Sequence, residues 1–131
     1  RAVTVALAPG LTLPADAADA LERARAAGVD FVDSPSPPPA WGTADVAIDA
    51  LFGLGLSRPA DGWARDAIRA LNVAAAPVLA IDLPSGLDGD RGITVGEAVR
   101  ARWTLTMLTL KPGLFTADGR DHAGEVWLDT L

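Results

Sequence analysis

Two aspartates and a serine stand where this chain could do chemistry. Asp49 and Asp82 each end a short apolar run at a glycine-containing turn, and Ser85 follows Asp82 by three residues. The run before Asp82, Val78–Ile81, is fully apolar and partly β-branched, which suits a strand covered on both faces. Pro84 and Gly86 then punctuate the chain, so Asp82 and Ser85 belong to the turn just past that strand. Val46–Ile48 ends at Asp49 in the same way. Ligands of open α/β sheets bind in the crevice beyond the carboxyl ends of the strands. The helical pattern around Ala64–Leu71 connects the two runs, and a right-handed crossover sets their ends side by side. Both carboxylates then open into one crevice. Taken singly, each aspartate is equally well a turn or helix cap; the matched pair with Ser85 favours a site.

The segment Gly53-Leu54-Gly55-Leu56-Ser57-Arg58-Pro59 follows Asp49. Its glycines let backbone approach a ligand, successive N–H groups before a helix form an anion nest, and Arg58 can pair with a phosphate. It lacks the lysine of a P-loop and the third glycine of the dinucleotide fingerprint. Ser85 lies outside any G-x-S-x-G elbow, and the single histidine, His122, reads as a surface loop residue, which removes a Ser-His-Asp hydrolase and a multi-histidine metal site. Asp88-Gly89-Asp90 lacks the other ligands of a calcium loop and reads as a solvated turn. Lys111, before Pro112-Gly113, either reaches the crevice or stands in solvent, and Trp63 either lines a pocket or packs.

The elements that must position these residues are legible in order. Ala2–Ala8 reads as a buried strand and Ala15–Ala27 as a helix closed by Gly28. Val29–Val32 is a short strand, and Ser34–Pro39 an extended proline-rich connector. A second helix begins near Asp61, its N-cap, with Ala64, Ala67, Ile68 and Leu71 on one stripe. Gly96–Ala101 has room for one helical turn. Trp103–Leu110 is a strand with one less buried face, Ala117–Gly124 a loop, and Glu125–Leu131 a last strand. The order β-α-β-β-α-β-β-β implies a mostly parallel α/β sheet whose final strands are free to turn antiparallel.

At 131 residues, half of them hydrophobic and 21% charged, the chain is long and apolar enough for one folded domain with a real core. A net charge of −6 with scattered basic residues excludes a nucleic-acid grip on phosphates, and no apolar run has the length of a membrane span. The absence of cysteine excludes disulfides and thiolate chemistry and fits a cytoplasmic location. The chain opens at Arg1 straight into a strand, so it is expected to be the later portion of a longer domain.

Four motifs in order, D-A-L-F-G-L-G-L-S-R-P (Asp49–Pro59), I-D-L-P-S-G-L-D (Ile81–Asp88), L-K-P-G-L (Leu110–Leu114) and G-E-V (Gly124–Val126), resemble the NAD(P)H-hydrate epimerase family, the YjeF N-terminal domain. The resemblance covers essentially the whole chain and the later part of the family's domain. It implies a Rossmann-like three-layer α/β/α sandwich that interconverts the R and S epimers of hydrated NADH and NADPH (NADHX and NADPHX) with a bound potassium ion. It further implies that Asp49 and Ser85 are potassium ligands and that Gly53, Leu54, Gly55, Leu56, Ser57, Arg58 and Pro59 hold the substrate's phosphates. Asp82 then contacts the hydrated nicotinamide as acid and base, and Trp63 stands where the family often has tyrosine. A homodimer and fusion to an ADP- or ATP-dependent hydrate dehydratase are implied as well. The family's N-N-G-G-D-G loop is absent from these residues, and Gly53-Leu54-Gly55 replaces the usual G-T-G. The competing expectation is a non-catalytic nucleotide-binding or dimerisation module of the same type, as in the messenger-RNA decapping scaffold.

Overall fold

The apolar runs that precede the two aspartates form neighbouring parallel strands. A computed structural model of the chain describes residues 2–33 and 44–131, in two compact units, Arg1–Pro38 and Pro39–Leu131. In the first unit β1 (Thr4–Leu7) pairs in parallel with β2 (Asp30–Asp33), and α1 (Ala15–Ala26) connects them. Gly28, at φ 79°, ends α1. Its N–H bonds to the Arg25 carbonyl and that of Val29 to Ala24, the paired bonds of a Schellman motif, as the glycine foretold. The connector Ser34–Pro39 lies outside the described residues.

The second unit carries the candidate site. Its four parallel strands run in the order β3 (Ala47–Asp49), β4 (Val78–Ile81), β5 (Trp103–Met107) and β6 (Glu125–Asp129). The parallel sheets with their connecting helices make an α/β, Rossmann-like fold. The last strand does not turn antiparallel: β6 pairs in parallel with β5 from Trp103↔Glu125 to Met107↔Asp129. The connection allows this because it holds a 3₁₀ turn at Pro112–Leu114 and a one-turn helix, α3 (Gly119–His122), where a loop was expected.

Helix α2 (Gly62–Val73) bridges β3 and β4. Its stripe is as the spacing predicts: Ala67, Ile68 and Leu71 are buried, and Ile68 and Leu71 pack with Ala47, Ala76, Val78 and Val99. Asp61 occupies the N-cap position in extended conformation but makes no side-chain capping bond. The expected helical turn at Gly96–Ala101 does not form. Gly96 has φ 79°, and the N–H groups of Val99, Arg100 and Ala101 bond to Ser85 O, Asn72 Oδ1 and His122 O rather than to an i−4 carbonyl. Asn72 near the end of α2 straps this segment down, donating to Ala98 O at 2.9 Å and accepting from Arg100 N at 2.8 Å.

In β5 the less buried face is the apolar one. Thr104 and Thr106 are the buried residues, and Thr104 Oγ1 donates to Ala123 O at 2.7 Å. His122 is buried rather than on a surface loop, with Nδ1 2.9 Å from Val99 O.

Ile68 is fully enclosed under β3 and β4, so Ile68→Ala leaves a cavity beneath the strands that present Asp49 and Asp82. Urea unfolding is expected to show a loss of about 2–5 kcal/mol.

Candidate functional site

Asp49 ends β3 with its side chain turned into the protein, 1% exposed. Its Oδ2 accepts the Ser85 N–H at 2.8 Å, and its Oδ1 accepts the Ser85 hydroxyl at 2.6 Å and the Leu51 N–H at 3.3 Å. Ser85 Oγ in turn accepts the Phe52 N–H at 3.0 Å and lies 3.4 Å from Phe52 O. The carboxylate, the hydroxyl and the start of the glycine loop thus form one knot between the ends of β3 and β4. Burial pushes the Asp49 carboxyl up from its ordinary value, against the opposing pull of the hydrogen bonds from Ser85 and Leu51. Among the described residues no lysine or arginine pairs with it. A desolvated carboxylate beside a hydroxyl and a carbonyl is an oxygen-only donor set that suits a hard cation of low charge. No cluster of three or more His, Asp or Glu residues occurs among the described residues, which leaves a multi-carboxylate or imidazole metal site without ligands there.

Asp82 sits one residue past β4 in a different environment. Its φ is 69°, and the Leu83 N–H bonds to Ile81 O at 2.9 Å across it, the rare and strained form of γ-turn. Its Oδ1 pairs with the ammonium of Lys111 and also faces Thr106 Oγ1 and the Met107 N–H, both at 3.4 Å. Its Oδ2 has no hydrogen-bond partner among the described residues. That oxygen faces Gly53: a Cβ placed on the glycine would lie 3.3 Å from it. One carboxylate oxygen is anchored, and the other looks at the glycine loop.

The loop itself is mostly exposed from Gly53 to Pro59, with Leu56 half-buried. Leu54 and Gly55 form a turn in which Gly55 takes φ 94°. Leu54, Gly55 and Leu56 line a cleft whose other wall is Leu87, Asp88, Gly89 and Asp90. Gly89 leaves room there for two leucine tips, since a Cβ would come within 2.9 Å of both Leu54 Cδ2 and Leu83 Cδ1. Asp88 shapes this wall by accepting the N–H groups of Asp90 and Arg91 and by pairing with the Arg91 guanidinium at 2.7 Å.

The structure therefore brings Asp49 and Ser85 into direct contact and sets Asp82 against Gly53. Arg58 and Ser57 lie exposed on the loop, and Trp63 is half-buried in the first turn of α2; none of the three is a partner of Asp82 or Asp49. Lys111 was open between crevice and solvent in the sequence and is resolved toward the crevice, buried on Asp82. Thr106 and the Met107 carbonyl complete its surroundings and were not singled out; the alternating threonines of β5 were their only trace.

The family model for the YjeF-related protein N-terminus matches residues 1–113. An NAD(P)H-hydrate epimerase of Limosilactobacillus fermentum is 46% identical over 83 residues, which cover 63% of this chain and 40% of that protein. An NAD(P)H-hydrate epimerase of Achromobacter xylosoxidans is 44% identical over 123 residues, covering 91% of this chain and 56% of the relative. A protein named bifunctional NAD(P)H-hydrate repair enzyme Nnr, of Thermofilum pendens, is 43% identical over 84 residues, covering 64% and 16% respectively. The matched stretch spans 40% to 56% of the two epimerases.

Asp49 and Asp88, the latter in the wall of the cleft, respond to acid in opposite senses. Asp49, raised by burial, is destabilising as an anion, so its contribution improves as pH falls through its folded value. Asp88 is lowered to about 2, first by the side-chain bond from Arg91 and then by the Arg91 backbone N–H. Its contribution is complete above the ordinary carboxylate value of 3.8 and is lost as pH falls toward about 2. Asp88→Asn is accordingly expected to be less stable than the parent at pH 7, with the gap closing between about pH 4 and about pH 2 in urea titrations.

Proposed function

Because this chain belongs to the YjeF-related N-terminus family, we propose that the protein carrying it interconverts the R and S epimers of hydrated NADH and NADPH, with Asp82 as the acid and base. The observation that carries this reading is the split role of the Asp82 carboxylate: Oδ1 is fixed, and Oδ2 is open toward Gly53. Epimerisation inverts one carbon and conserves every atom, so it needs no redox partner. It proceeds by reversible ring opening or by loss and return of water. In the first route the base takes the hydroxyl proton as the ring C–N bond breaks and returns it after closure on the opposite face. In the second it delivers a proton to the departing hydroxyl and accepts one from the returning water. A single positioned carboxylate serves either exchange.

The glycine loop Gly53–Pro59 supplies backbone N–H groups, and Arg58 a guanidinium, for the substrate's phosphates. Asp49 and Ser85, with the Phe52 carbonyl beside them, would hold a potassium ion. When bound, the ion would supply a positive charge that compensates the Asp49 carboxylate. The bifunctional relatives support a protein that works beside a dehydratase for the same hydrates. We read it as a homodimer in the cytoplasm; no helix among the described residues is long and apolar enough to cross a membrane.

Chromatographic separation of the two NADHX epimers tests the central claim. Asp82→Asn in the full protein is expected to slow interconversion by about 100-fold or more, and an unchanged rate would sink the role given to Asp82. The cation is tested by melting temperature. Potassium chloride should raise it by a few degrees over choline chloride at equal ionic strength, and Asp49→Asn should abolish the difference.

A further inference from the structure

The functional reading leaves the L-K-P-G-L motif without a task. We propose that Lys111 is a positioning residue that aims the Asp82 carboxylate, an inference that rests on the acid and base role given to Asp82 above. Lys111 is 7% exposed, and its ammonium has three acceptors: Asp82 Oδ1, Thr106 Oγ1 at 3.0 Å and Met107 O at 2.6 Å. An ammonium has three N–H groups. All three are therefore spent on the protein, and none is left to bind substrate or donate a proton to it.

The surroundings explain why such an anchor is needed. Asp82 is held at φ 69°, and Leu108, at the end of the neighbouring strand, at φ 65°. Each is the central residue of a three-residue turn, closed by Leu83 N to Ile81 O at 2.9 Å and by Thr109 N to Met107 O at 2.7 Å. Neither conformation persists for a non-glycine residue unless the rest of the structure holds it. The ammonium bridges the two turns, bonding the side chain at the centre of one and the carbonyl that closes the other.

Its own backbone is fixed in turn. Leu114 N bonds to Lys111 O at 3.1 Å, and Gly113 N bonds to Gly89 O at 2.7 Å, behind the cleft wall. Leu114 is buried in a cluster with Leu83 and Leu87. Gly113 is required because a Cβ would run into the Asp88 and Gly89 carbonyls. Lysine, proline and glycine thus form one device. The Pro112–Leu114 turn seats the stem, and the head pins Oδ1 so that Oδ2 keeps its aim at Gly53.

Steady-state kinetics on the full protein separate this role from substrate binding. Lys111→Met is expected to lower kcat for epimer interconversion by about 100-fold with KM changed by less than about threefold. In an Asp82→Asn background the same substitution should cost less than about twofold more, because it acts through Asp82. Thr106→Val removes one acceptor without uncovering a charge; it should lower kcat by about 3–10-fold at unchanged KM and decides the matter if Lys111→Met does not fold. The inference is overturned if Asp82→Asn is inactive while folded Lys111→Met, or else Thr106→Val, keeps kcat within about twofold of the parent. It is overturned as well if KM rises about tenfold at constant kcat, which would put the ammonium on the substrate. An active Asp82→Asn would instead bring down the functional reading on which it stands.

Discussion

The bonds between the Asp49 carboxylate and Ser85 are the constraint on which the candidate site depends. Asp49 belongs to the end of β3 and Ser85 to the turn after β4, and no other side-chain bonds among the described residues join those two strand ends so directly. The Phe52 N–H hangs from the same hydroxyl, so the point at which the glycine loop departs is fixed by the same knot. A buried ionised carboxylate costs stability unless its lone pairs are used. Here they are used by neutral donors, which satisfy hydrogen bonding without neutralising the charge. The strand ends are thereby held together at a carboxylate whose charge no lysine or arginine among the described residues compensates.

The second carboxylate is held by different means. Asp82 keeps its backbone in a strained turn and its Oδ1 on a buried ammonium, while its side chain is still 22% exposed. The strain is local, and the restraint comes from far along the chain: β5 provides Thr106 and Met107, and the turn after it provides Lys111. This explains why the sheet must extend beyond the two strands that present the aspartates. Without β5 alongside β4, the Asp82 turn would lose both the Leu105 carbonyl that receives its N–H at 2.8 Å and the side chains that orient its carboxylate.

The alternation of apolar and turn residues made much of the fold legible, because β1, β3 and β4 are mainly apolar runs stopped by proline or aspartate. That pattern located β1, β3, β4 and both long helices to within a residue or two. It failed where tertiary bonds override local pattern. Gly96–Ala101 has helical composition, yet Ser85, Asn72 and His122 claim its last three N–H groups, and His122 looks like a polar loop residue, yet Val99 O takes its ring nitrogen inside the protein. The placement of Asp49, Asp82 and Ser85 at the ends of β3 and β4 was readable because each apolar run stops there at a glycine-containing turn. Lys111 was not resolved, since nothing local distinguishes a lysine that folds back four residues onto Met107 O from one that points to solvent. The threonines of β5 were visible as an alternation but not as the buried face, because period two reports that the faces differ and not which of them is covered.

Two carboxylates of one chemistry acquire separate work from their environments. Asp49 is almost wholly enclosed and bonded only to neutral groups, so proton exchange with a ligand is closed to it and charge compensation is what it lacks. Asp82 is compensated already, and its open oxygen meets the loop that would hold a substrate. Exchanging the two environments would remove both proposed functions at once. A compensated Asp49 would have no need of a cation, and an enclosed Asp82 could not pass a proton to a ligand. Which aspartate the lysine reaches thus separates the proposed cation site from the proposed acid and base.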